Sequence, residues 1–148
     1  MKAIVTGGAG FIGSHVVELL INKGYEVIVI DNLSCGSEEN LNNFNKKRIK
    51  LLKKDIREID ITDNIYDNTD YIFHFAGIGD IVPSIERPLE YLDVNVNGTA
   101  KILDLAKKIN IKKFVYAASS SCYGLAKTPT CEKHSIDTKY PYAISKYM

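Results

Sequence analysis

Residues 2–31, KAIVTGGAGFIGSHVVELLINKGYEVIVID, decide the fold. Lys2–Thr6 (KAIVT) is apolar without alternation, the pattern of a strand buried on both faces. Glycines follow, and then IGSHVVELLINK carries its apolar residues at helical spacing and stops at Gly24. Residues 25–30 (YEVIVI) repeat the strand pattern. A strand, a helix and a second strand in so short a span predict two parallel strands joined by a right-handed crossover.

The alternation continues outward from this unit. Further strands are predicted over 48–52 (RIKLL), 70–75 (DYIFHF) and 113–118 (KFVYAA). A long helix over about 89–109 is predicted between the last two, with Leu89, Leu92, Val96, Ala100, Leu103 and Ala106 at steps of three or four. The expected architecture is α/β and doubly wound: a parallel sheet of strand order 3-2-1-4-5 with helices on both faces. A sixth strand would have to follow the helix opening at Pro141. The expectation is therefore a single, incomplete domain over 1–148.

Composition excludes several classes. The chain has 148 residues, and 19 Lys plus Arg nearly cancel 18 Asp plus Glu. No net field draws it to nucleic acid or to an anionic membrane. The basic runs Lys46-Lys47-Arg48 and Lys112-Lys113 read as solvated surface. Three cysteines, Cys35, Cys122 and Cys131, have no metal-type or redox-type spacing, which suits a reducing cytoplasm. The N-terminus lacks the 7–15 apolar residues of a signal peptide, and no run approaches the roughly 18 needed to span a bilayer.

The turn TGGAGFIG, Thr6 to Gly13, holds two overlapping patterns, Gly8-x-Gly10-x-x-Gly13 and Gly7-x-x-Gly10-x-x-Gly13. It leaves a strand, opens a helix, and is followed by Asp31 at the end of the next strand. That context makes a glycine pattern a dinucleotide site. The glycines allow a tight turn and close backbone approach, and the helix N-terminus offers free N–H groups to a pyrophosphate. Asp31 can accept from ribose hydroxyls and repels a 2′-phosphate, so NAD is favoured over NADP.

Tyr142 and Lys146, in YAISK, are four apart and share a face if the segment is helical. A chain with nine tyrosines is expected to give roughly one such pair by chance, and Tyr123 with Lys127 is a second. Local residues separate the two. Tyr123 precedes Gly124 and Pro129, which spoil a helix, whereas Tyr142 follows Pro141, a favoured first helical residue.

With TGGAGFIG, Asp31, HFAG at 74–77, SSSCYG at 119–124 and YAISK in this order, the chain resembles the extended short-chain dehydrogenase/reductases, whose fold is Rossmann-like. Within them it is similar to the NAD-dependent nucleotide-sugar epimerases of the UDP-galactose 4-epimerase type. The resemblance implies NAD as cofactor, with Gly7, Gly10, Phe11, Ile12 and Gly13 at the pyrophosphate. It implies Asp31 and Asn32 at the adenosine ribose, Asp55 and Ile56 beside the adenine, and Phe75, Ala76, Gly77 and Asn95 along the cofactor. Ser119, Tyr142 and Lys146 would be the catalytic residues. His15 and His74 read as structural, without a partner that the sequence names. A nucleophilic role for Cys122 is not expected, since no base accompanies it.

The chemistry matches these types. Moving a hydride from a sugar carbon to NAD requires a base for the hydroxyl proton. A free tyrosine, with a pKa of about 10, is a poor base, and a lysine ammonium at about 4 Å favours the phenolate by about 4 kcal/mol at an effective dielectric of 20. The resemblance implies a cycle in which Tyr142 takes the 4-hydroxyl proton, C4 is oxidised transiently, and the keto sugar turns over before reduction on its other face. Ser119 would hydrogen-bond the same oxygen. The sugar 4,6-dehydratases carry Asp-Glu after the catalytic Ser/Thr, where this chain has Ser120 and Ser121, and UDP-glucuronate decarboxylases usually carry a Glu there. Their absence favours an epimerase acting on a UDP-hexose. The alternatives are a non-catalytic NAD-binding fragment, or a decarboxylase, dehydratase or dehydrogenase of the same family. The C-terminal nucleotide-sugar domain is expected to be absent and these 148 residues alone inactive. The full-length enzyme is expected to be a cytoplasmic homodimer in polysaccharide biosynthesis, with no metal, nucleic-acid or membrane partner.

Overall fold

A computed structural model describes all residues, Met1–Met148. In chain order the elements are β1 (Lys2–Thr6), α1 (Phe11–Asn22), β2 (Glu26–Asp31), β3 (Ile49–Lys53), β4 (Tyr71–His74), α2 (Val82–Glu86), α3 (Pro88–Leu92), α4 (Gly98–Lys108), β5 (Lys113–Tyr116) and α5 (Pro141–Tyr147). Short 3-10 turns lie at Glu38–Leu41, Ile56–Glu58, Asn64–Tyr66 and Ser120–Tyr123, and a π turn at Asp93–Asn97. The chain divides into two compact units. Met1–Gly77 with Gly98–Ala117 form the first, and Ile78–Asn97 with Ala118–Met148 the second.

The first unit contains the whole sheet, parallel throughout and ordered β3-β2-β1-β4-β5. Side chains alternate across it. Ile4, Ile28, Ile30 and Ile72 face one way and pack with Ile102, Leu105 and Ala106 of α4. Ala3, Val5, Val27 and Val29 face the other way and pack with Val17 and Leu20 of α1. Both faces are covered, which is why the central strands carry no polar alternation. The observed strands differ from the predicted spans by a residue or two at their ends, and Asp31 closes β2.

The second unit is built of short helices. Proline opens α3 and α5, where the missing N–H would have had no partner. The predicted helix over 89–109 is present, helical at every residue from Pro88 to Lys108, but it changes period partway. Residues Asp93–Asn97 form a π turn, in which hydrogen bonds run i to i+5 and the 3.6-residue repeat fails. The predicted apolar stripe is accordingly buried only in part, at Ala106. Leu89 and Leu103 are 79% and 48% exposed, while Tyr91, Asn95, Ile102 and Leu105 are buried.

Candidate active site

The glycine turn is held from three sides within the first unit. Gly7, at φ 66°, donates its N–H to Ile30 O (2.8 Å), and Gly10 donates to Gly7 O (3.1 Å). A Cβ at Gly7 would stand 2.6 Å from Ala76 N, so only glycine fits between the turn and the strand β4 exit. The Ala9 N–H donates to Asp31 Oδ2 (2.9 Å) and the Leu33 N–H to Asp31 Oδ1 (2.8 Å). Ala9 O accepts from Ser37 N and from Asn40 Nδ2. The loop after β2, featureless in the sequence, thus packs on the glycine turn.

The predicted cofactor residues of this unit take the following positions. Phe11 and Ile12 begin α1 and are 80% and 60% exposed. Gly10 caps that helix without a side-chain bond, and no acidic residue lies in its first turn. Asn32 donates to Asp55 Oδ2 (3.1 Å). Asp55 also accepts from Arg57 Nε (2.9 Å) and Nη2 (2.7 Å), and the guanidinium hydrogen bonds lower its pKa from 3.8 to about 2. The Ile56 side chain is buried in the core beneath Gly98, where a Cβ would meet it at 2.5 Å. Phe75 N donates to Thr6 O (3.0 Å) and Ala76 N to Thr6 Oγ1 (3.2 Å), and Gly77 ends this stretch of the unit.

These features fit a dinucleotide. The α1 N-terminus presents its N–H groups and positive dipole end at a turn where glycine admits close approach. The Asp31 carboxylate offers about four acceptor sites, and the two bonds to Ala9 and Leu33 leave capacity for hydroxyl donors.

The second unit gathers the three predicted catalytic residues. Ser119 caps the Ser120–Tyr123 turn, its Oγ accepting from Ser121 N (3.2 Å) and lying 2.5 Å from Ser121 Oγ. That turn packs against α5, which carries Tyr142 and Lys146 one helical turn apart. Tyr123 ends inside the turn and Lys127 lies in irregular chain, so the second Tyr-Lys spacing forms no helix face. Burial pushes the Lys146 pKa below that of an ordinary lysine, and the nearby Cys122 partly opposes the shift. Burial raises the pKa of the Cys122 thiol, whose Sγ lies 3.6 Å from Ala143 O.

Sequence reasoning missed Ser145 and Tyr91, and the part that Asn95 plays in holding α5. Ser145 is buried and donates its Oγ proton to Tyr142 O (2.8 Å). Asn95 donates to Ser145 Oγ (2.9 Å) and Ile78 O (3.0 Å), and its Oδ1 accepts from Ile78 N (2.9 Å). Tyr91 meets the Tyr142 ring edge to face, with centroids 6.3 Å apart, and donates to Gly79 O (2.6 Å). Ser145 lies within the YAISK segment, yet nothing in a spacing pattern distinguishes it. The Asn95 amide, predicted along the cofactor, is thus engaged by Ile78 and Ser145.

A parallel sheet with a glycine turn between β1 and α1, together with a helix-borne Tyr-x-x-x-Lys, defines a dinucleotide-dependent class of α/β protein. The chain belongs to the NAD dependent epimerase/dehydratase family, which matches residues 3–148. It is 38% identical over 148 residues to a putative UDP-glucose 4-epimerase of Methanocaldococcus jannaschii, covering 98% of this chain and 47% of the relative. Its fold matches a UDP-N-acetylglucosamine 4-epimerase from Methanobrevibacter ruminantium M1 with a TM-score of 0.92 at 38% identity, covering 99% of this chain and 47% of that one. A UDP-glucose 4-epimerase from Bifidobacterium longum, solved in complex with NAD+ and UDP, matches with a TM-score of 0.90 at 34% identity, covering 99% and 46%. The chain spans about half the length of these relatives. No helix is long and apolar enough to cross a membrane.

Proposed function

We propose that this chain is the cofactor-binding and catalytic-triad part of an NAD-dependent UDP-hexose 4-epimerase. The observation that carries the reading is the placement of Tyr142 and Lys146 on one helix, against the turn that Ser119 caps, in a chain whose relatives are UDP-sugar 4-epimerases. Bound NAD supplies an acceptor, and then a donor, for the hydrogen at C4 of the sugar.

The chain's own residues do the rest. Gly7, Gly10, Phe11, Ile12 and Gly13 hold the pyrophosphate, Asp31 and Asn32 the ribose, and Asp55 and Ile56 border the adenine. Phe75, Ala76 and Gly77 line the cofactor, and Asn95 acts through the Ile78 backbone it clamps. Tyr142 Oη takes the 4-hydroxyl proton and returns it, with the Lys146 ammonium stabilising the phenolate. Ser119 Oγ hydrogen-bonds the same sugar oxygen and fixes its direction. Epimerisation at C4 needs no further carboxylate, and Ser120 and Ser121 stand where a dehydratase needs an acid and a base. The assembled enzyme is a cytoplasmic homodimer, with residues 1–148 alone lacking turnover.

The test incubates the complete product of the gene with UDP-glucose, UDP-N-acetylglucosamine and UDP-glucuronate and follows C4 inversion by NMR. Inversion without net NADH is expected, and Tyr142→Phe should abolish it while NAD stays bound. Net NADH accumulation would make the protein a dehydrogenase, and retained turnover in Tyr142→Phe would remove the tyrosine from its role. Because the chain spans about half the length of its relatives, the second reading is an NAD-binding piece without catalysis. Absence of turnover with NAD bound would select it.

A further inference from the structure

His74 is buried at the end of β4, and no step assigned above uses it. Its Nδ1 lies 2.6 Å from Thr6 Oγ1 and its Nε2 2.9 Å from Thr99 Oγ1. Phe114 and Tyr116 of β5 fix the ring, at centroid distances of 5.7 and 5.9 Å. The Thr6 hydroxyl has a second partner, since it accepts the N–H of Ala76 at 3.2 Å. A continuous hydrogen-bonded path therefore runs from Thr99 through His74 and Thr6 to the Ala76 backbone.

The position of this path gives it a consequence. Thr6 and His74 are register partners at the carboxyl ends of β1 and β4, where one strand leaves for Gly7 and the other for Phe75. The two exits touch: the ideal Cβ position of Gly7 is 2.6 Å from Ala76 N and 2.8 Å from Phe75 C. The close approach of the two exits couples them, since a movement of the Ala76 backbone toward Gly7 meets the first residue of the glycine turn. A threonine hydroxyl has one proton and two acceptor sites. With the Ala76 N–H on one acceptor site, Thr6 Oγ1 either donates to Nδ1 or accepts from it, and in both tautomers the bond to His74 sets the direction of the oxygen. Thr6 is fully buried, so no solvent replaces that bond.

We propose that His74 is a positioning residue for the dinucleotide: through Thr6 Oγ1 its Nδ1 fixes the Ala76 amide, and so the approach of the 75–77 loop to the Gly7 turn. The inference rests on the reading of these two loops as cofactor contacts. A merely structural histidine would need both ring nitrogens equally. A positioning histidine needs the Nδ1 side for NAD and both sides for stability.

The variants His74→Asn and His74→Gln separate the two, because an Asn amide reaches toward the Nδ1 position and a Gln amide toward the Nε2 position. On the complete gene product, NAD affinity is measured by calorimetry, Ala76 amide exchange by 15N NMR, and unfolding by circular dichroism. His74→Gln should weaken NAD about tenfold and speed Ala76 exchange about tenfold, while His74→Asn stays within about threefold in both, at similar unfolding midpoints. Equal losses in the two variants, following their midpoints, would overturn the inference. If either variant does not fold, Thr6→Ser against Thr6→Val makes the same comparison, with the hydroxyl kept or removed. Wild-type chain that takes up no NAD would sink the cofactor reading. The exchange contrast would then decide the Ala76 brace by itself, and its absence would overturn that too.

Discussion

The two units are stabilised by different means. In the first, two apolar clusters lie on opposite faces of the sheet, and almost every central side chain is an aliphatic that volume and area alone can account for. In the second, only Tyr91, Cys122 and Ala143 are buried apolar residues, beside the buried polar Ser84, Asn95 and Ser145. Hydrogen bonds from Asn95, Ser145 and Tyr91 do there what packing does in the sheet. Hydrophobic burial is tolerant of detail and hydrogen bonds are directional, so the unit carrying Tyr142 and Lys146 fixes orientation at the expense of bulk stability.

The sharpest way to break this contrast is to remove volume from the sheet. Ile72 is fully buried between β1 and β5, and Ile72→Ala should cost about 3 kcal/mol in urea unfolding. A cost below about 1 kcal/mol would mean that the sheet core is not what stabilises the first unit. Asn95 gives the complementary case. Asn95→Leu keeps the bulk but strands the Ile78 N–H and removes the donor to Ser145, and should cost about 2 kcal/mol, as much as Asn95→Ala. Recovery of stability by leucine would show that the second unit is held by packing after all.

The smallest effect is electrostatic and belongs to the first unit's rim. Arg57 holds the Asp55 pKa at about 2 against an ordinary 3.8. A lowered carboxyl pKa gives stability that is complete above 3.8 and disappears as pH falls toward 2. Asp55 should therefore titrate near 2 by carbon-detected NMR, and Arg57→Gln should move the titration up toward 3.8. An unchanged Asp55 titration in that variant would remove the guanidinium as the cause.

The contrast also explains what was legible in the sequence. The strand order followed from residues such as Ile4, Ile28 and Val29, because burial on both faces leaves a continuous apolar run and the glycine turn fixes the crossover. The helix expected over 89–109 is present, but its buried face differs where Asp93–Asn97 form a π turn, since no apolar period announces an i to i+5 bond. Side-chain bonds between distant residues leave no period either. Asn95 and Ser145 are 50 residues apart and Thr6 and His74 are 68 apart, so the sequence named no partner for His74 and passed over Ser145. The proposed roles of Tyr142, Lys146 and Ser119 rest on the order of the family motifs, not on any period in the sequence.

The proposal with most resting on it is that the first unit cradles NAD and that Asp31 rejects a 2′-phosphate. Calorimetric titration of the complete gene product, freed of bound nucleotide, with NAD and with NADP tests it most directly. Saturable one-site binding of NAD, with NADP weaker by about tenfold or more and the gap closed in Asp31→Ala, is the expected result. Equal or tighter binding of NADP, or no binding of NAD, would contradict it.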